Sequence, residues 1–164
     1  MRVNFLKLKK SILFCLLFTF SIHVSLFAFE FEYEKTWDGL LKTYVSSGIK
    51  KDIQTTLIDY DFLRDDIDFR TLILDLESFD ISVLETDVQK LSFWVNVYNI
   101  AAVNLIIKNE ETTSIKDIGW VFQSVWDKPV ININDVPYSL NQIENDMLRT
   151  MGEPAIHFAI VCAS

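Results

Sequence analysis

The chain has 164 residues, room for one compact domain and not for two. Half of them are hydrophobic and 13% aromatic, which excludes a disordered chain and demands a packed core. The formal charge of −8 argues against nucleic acid as a partner, because phosphate binding needs clustered lysine and arginine.

Arg2, Lys7, Lys9 and Lys10 precede a mostly apolar run from Ser11 to Phe29. This is the order of a secretory signal peptide over residues 1–28, with small Ala28 at the cleavage point and a domain over 29–164. The competing reading is an uncleaved anchor, since the run approaches the roughly 20 residues that cross a bilayer. The product is therefore expected to be exported, periplasmic or extracellular, with the membrane involved only through this segment. Cys15 follows bulky Phe14, which does not suit lipid attachment. Removing the segment leaves 11 basic against 23 acidic residues, a charge of −12. It also leaves Cys162 alone, so no internal disulfide can form.

Trp37, Leu40, Leu41, Tyr44 and Val45 line one face of a helix that Gly48 is placed to stop. Residues 57–60 are ambiguous, and 61–79 alternate acidic with apolar residues in the manner of one or two helices. Thr86 and Gln89 have the spacing of a capping box that opens a helix running to about Lys108, apolar on nearly every side between Leu91 and Ile107. Such a helix must be enclosed by protein. A loop with Trp120 and Trp126 follows, then two short strands, Val130 to Ile133 and Val136 to Tyr138, around Asn134-Asp135, a pair that tolerates the positive φ of a tight hairpin. Ser139 and Gln142 form a second capping box, for a helix from Leu140 to about Thr150 that ends near Gly152. Pro154 bars further helix, and the apolar run from Ala155 to Cys162 is expected to be a core strand of an incomplete sheet, with its domain continuing beyond Ser164. The fold class is α+β, mostly helical, with a buried central helix, a short β-hairpin and that C-terminal core strand.

Several polar residues fall where apolar ones are expected. Asn96, Asn99 and Asn104 share an arc of roughly 140° on the central helix, at about 100° per residue. A buried amide without partners costs on the order of 1–3 kcal/mol, so these three either hold a neighbouring loop by its backbone or floor a polar site. Glu144 lies within the apolar arc of Leu140, Ile143, Met147 and Leu148, where a carboxylate must be paired or protonated. His157 is the sole histidine outside the leader. On an extended strand it would stand about 16 Å from Cys162 and on the opposite face, which excludes a cysteine–histidine dyad. One histidine and one cysteine make no metal set, and no cofactor is implied.

Lys90-Leu91-Ser92-Phe93-Trp94-Val95-Asn96-Val97-Tyr98-Asn99-Ile100-Ala101, Tyr138-Ser139-Leu140 with Ile143-Glu144 and Leu148-Arg149, and Ile156-His157-Phe158-Ala159 with Cys162-Ala163-Ser164 together resemble domain-of-unknown-function family 547, from about Trp37 onward. The resemblance implies that the last motif continues into a further Ser-Cys-Pro, so that this chain corresponds to an N-terminal portion of the family domain. It implies no established reaction. A buried helix followed by a histidine-bearing strand also looks like the core of papain-like and transglutaminase-like hydrolases. There a cysteine heads the helix, and here none does.

Two functions are compatible with these residues. One is an exported domain that binds a peptide, glycan or protein at a polar patch formed by Asn96, Glu144 and His157, with Asn99, Trp94, Tyr98, Arg149 and Cys162 as further binding residues. The other is a hydrolase or transferase of the cysteine-protease-like or transglutaminase-like kind, degenerate or active, with His157, Glu144 and Asn96 as its catalytic candidates.

Overall fold

The computed structural model describes residues 30–50, 52–109, 118 and 124–161. The leader segment, Trp120 and Cys162 lie outside the described residues. The chain divides into two units, Met1–Glu30 and Phe31–Ser164, and the second carries every element below.

Helix α1, Glu32–Tyr44, starts where the Glu34 carboxylate accepts the Phe31 backbone N–H (3.1 Å), and it buries Tyr33, Trp37 and Leu40 at i, i+4 and i+7. It ends at Val45, earlier than Gly48. The chain there becomes extended and forms an antiparallel hairpin, β1 (Val45–Lys50) and β2 (Ile53–Ile58), in unbroken register from Val45 opposite Ile58 to Lys50 opposite Ile53. Gly48 thus serves the strand and not a helix stop. A Cβ at that position would overlap the Leu57 side chain, which lies across it.

The acidic stretch does form two helices, α2 (Tyr60–Asp65) and α3 (Ile67–Glu77). Asp66 separates them by serving both: its N–H closes α2 on the Leu63 carbonyl, and its carboxylate accepts the Asp68 and Phe69 N–H groups that open α3. Helix α4, Asp87–Ile107, begins at the expected capping box of Thr86 and Gln89. Phe93, Val97, Ile100 and Ala101 on it are wholly buried. Its length and apolar composition would also suit a membrane span, but just over half of that stretch is covered by other parts of the chain. Phe93 stacks on Phe79 at 4.7 Å and meets Tyr33 and Trp94 edge-on, so α1 and the segment after α3 both close on α4 through rings.

The second hairpin, β3 (Pro129–Ile133) and β4 (Val136–Ser139), stands as expected, with Asn134 and Asp135 at φ 51° and 62°. Ile131 and Ile133 are buried, and the Asn134 N–H bonds to the Glu77 carbonyl (2.8 Å). The Ser139–Gln142 capping box opens helix α5 at Leu140–Gln142. The chain then widens into a π-helical turn over Ile143–Leu148, tightens to a 3-10 turn over Arg149–Met151 and stops at left-handed Gly152 (φ 72°).

The expected C-terminal core strand is not formed. Residues Ile156–Ala159 are a single helical turn, α6, and the chain becomes extended only at Ile160. Ile156 and Ile160 are the buried pair, four residues apart on one helical face, while His157, Phe158 and Ala159 between them are exposed. The described strands pair only within their own hairpins, as two separate two-stranded sheets, and Ala155–Val161 joins neither. The α+β class and the enclosed central helix stand.

Candidate functional site

Helix α4 carries polar ties outward through Asn99 and Ser92. Asn99 makes the clearest. Its Nδ2 donates to the Ala159 carbonyl and its Oδ1 accepts the Val161 N–H, both at 2.9 Å. One side-chain amide therefore bonds the chain on both sides of Ile160, as a neighbouring strand would. With net contributions of about 0.5–1.5 kcal/mol per bond, this clamp fixes the segment after α6. The loop-holding role expected of the asparagines is the one Asn99 performs.

Asn96 lies beside the Tyr33 hydroxyl of α1, which donates to Glu34 Oε1 (3.2 Å). Ser92 Oγ donates to the same oxygen (3.3 Å), so Glu34 gathers donors from its own helix and from α4. Burial, reinforced by the Glu34 charge, pushes the Tyr33 hydroxyl far above the usual phenol range, whereas Asn96 acts in the opposite direction. Asn104 is the third amide. It is 5% exposed, and its Nδ2 has no partner among the described residues.

Glu144 is paired. Arg149 Nη2 reaches its Oε1 at 2.7 Å, and the Arg149 N–H bonds the Glu144 carbonyl as well. In an α-helix, residues five apart point about 140° away from each other. The π turn, whose backbone bonds run from i to i+5, brings this pair onto one face. The Glu144 side chain keeps 17% exposure and that of Arg149 keeps 50%, so the pair borders the surface.

His157 is exposed on α6, and Phe158 beside it is 93% exposed. No hydrogen bond joins His157 to a hydroxyl or carboxylate among the described residues. Trp94 and Tyr98 are core residues, 4% and 1% exposed, and Trp94 packs against Tyr138 at 5.1 Å. Both belong to the core and not to an exposed binding surface. The structure thus joins Asn99 to the segment bearing His157 and Glu144 to Arg149, and sets Asn96 beside Tyr33. It gathers no described cluster of His, Cys, Asp and Glu able to hold a metal ion.

Residues 82–164, from the entry to α4 to the end of the chain, match the family model described as protein of unknown function, DUF547. The chain belongs to that family. No match was found among curated proteins or solved structures. The DUF547 match covers all three asparagines, the Glu144–Arg149 pair and the clamped terminal segment, but not Tyr33, Glu34, Tyr44 or Asp66. Those four escaped the sequence reading because their partners Ser92, Asn96 and each other lie too far along the chain for any local spacing to show. A second such link joins the Tyr44 hydroxyl to Asp66 Oδ2 at 2.6 Å. This bond, with help from the α3 backbone donors, holds the Asp66 carboxyl below its ordinary range and raises the Tyr44 phenol.

Proposed function

We propose that this DUF547 chain is an exported binding domain that takes a peptide or protein segment on the surface formed by α6 and the extended residues after it. The observation that carries this reading is the Asn99 clamp: it holds the backbone at Ala159 and Val161 while leaving His157 and Phe158 directed to solvent. An aromatic ring that exposed, on a segment so fixed, offers an apolar anchor at low ordering cost. The imidazole beside it supplies a polar contact. A peptide or protein fits this better than a glycan, because the fixed features are one apolar ring and one short extended backbone.

The hydrolase reading requires a nucleophile or activated water within hydrogen-bond reach of His157. Glu144 is engaged by Arg149 and so is not free to orient the imidazole. The test is a peptide-array screen with the purified chain, paired with a glycan array. Binding to a defined peptide class that falls at least about ten-fold in Phe158→Ala, with the helical circular dichroism retained, is the expected result. Selective glycan capture, or peptide cleavage abolished by His157→Ala, would contradict it.

A further inference from the structure

The hairpin of β1 and β2 meets the core at its base, through partly buried Ile58, and stands clear of it elsewhere. None of its described residues is buried, Ile49 and Ile53 are 76% and 67% exposed, and no other described strand lies beside it. A two-stranded ribbon of this kind is marginal in water unless something adds to it. Exposed strand edges normally carry protection in the form of charges, prolines or bulges. Strand β2, Ile53-Gln54-Thr55-Thr56-Leu57-Ile58, has no charge and no proline, and its pairing with β1 shows no bulge.

The direction of its free backbone groups follows from the base of the hairpin. There the Asp59 N–H donates to the Tyr44 carbonyl at 2.9 Å. Hydrogen-bonded and non-bonded pairs alternate along an antiparallel ladder, so Gln54, Thr56 and Ile58 turn their N–H and C=O groups away from β1.

We infer that this outer edge of β2 pairs with the same edge of a second copy, about a two-fold axis through Thr56, giving a four-stranded sheet. Three observations select a second copy. The edge is self-complementary, since the axis sets Thr56 against Thr56 and Gln54 against Ile58, with no charge meeting its like. The same axis sets Ile53 opposite Asp59, so Lys50, which pairs with Ile53, approaches the acidic Asp59 to Asp61 turn of the other copy. That puts a basic hairpin tip on an acidic hairpin base, twice, in a chain of net charge −8. Finally, Leu57 comes opposite Thr55 of the second copy, which joins the half-exposed Leu57 and exposed Ile53 of both hairpins into one apolar face.

Sedimentation of the purified chain tests this with two edge variants. The parent is expected to be dimeric. Thr56→Lys places two like charges on the axis and is expected to weaken the dimer by about ten-fold or more, whereas Ser47→Lys, opposite Thr56 on the far edge, leaves it within about two-fold. A gain-of-link measurement, which does not depend on the hairpin tolerating a lysine, accompanies it. With Cys15→Ser and Cys162→Ser in place, Thr56→Cys brings two thiols within the span a disulfide accepts and yields a cross-linked dimer on mild oxidation, while Ser47→Cys does not. A monomeric parent chain, a dimer indifferent to Thr56→Lys, or cross-linking at Ser47→Cys as fast as at Thr56→Cys would overturn the assignment.

Discussion

The two hairpins of this DUF547 chain have the same form and opposite circumstances. In the second, Ile131 and Ile133 are buried, Ser139 is 2% exposed, and the turn is bonded to the end of α3 through Asn134 and Glu77. In the first, six residue pairs align without a break, yet no described side chain is buried. The shorter ribbon is held by the core along its length, and the longer one by its own ladder and by partly buried Ile58 at its base. Attachment to the enclosed helix α4 and its neighbours, and not strand length, decides which parts of this fold are firm.

The largest expected effect breaks that contrast directly. Ile133→Ala removes a wholly buried side chain and is expected to cost about 2–5 kcal/mol in urea unfolding, while Ile53→Ala, measured at low protein concentration, stays within about 0.5 kcal/mol. Equal losses would mean that the first hairpin has an interior after all. Next comes Asn99→Ala, which strips both bonds from the terminal segment and is expected to cost about 1–3 kcal/mol.

Acid sharpens the comparison at the junction between α1, the first hairpin and α3. The Asp66 carboxyl has a folded pKa below its unfolded value, chiefly because the Tyr44 hydroxyl donates to it. Its contribution is therefore fully present above the unfolded carboxylate range, near pH 4, and is lost as pH falls through the folded value. Asp66→Asn should flatten the acid limb of a stability-against-pH curve measured between about pH 2 and 5, and an unchanged limb would remove Asp66 from the account. The smallest effect is expected of Arg149→Ala. Its partner is mostly covered but the guanidinium is half in water, so the loss should be about 1 kcal/mol or less, and thermal denaturation would register it.

What the sequence made legible follows the same division. Helix α4 announced itself through a continuous apolar run behind the Thr86–Gln89 cap, and the packed hairpin through Asn134-Asp135, whose turn chemistry is local. The first hairpin left no such mark. Val45 completed a helical face, Gly48 resembled a stop, and Lys51-Asp52 is not a pair that signals a hairpin. The Ala155–Cys162 run has the composition of a strand, although Ile156 and Ile160 have the four-residue spacing of a helix face. For the site, the three asparagines of α4 and Glu144 were visible as polar residues in apolar company. Their partners were not, since Asn99 bonds residues 60 and 62 positions away and Ser92 reaches back 58 to Glu34. The π turn that aligns Glu144 with Arg149 likewise has no spacing signal of its own.

The account rests most heavily on the Asn99 clamp, and amide hydrogen exchange at Val161 probes it alone. The Val161 N–H should be protected in the parent chain and should lose that protection in Asn99→Ala, while amides in the middle of α4 keep theirs. Equal exchange at Val161 in the two proteins would contradict the clamp, and with it the presentation of His157 and Phe158 as a binding surface.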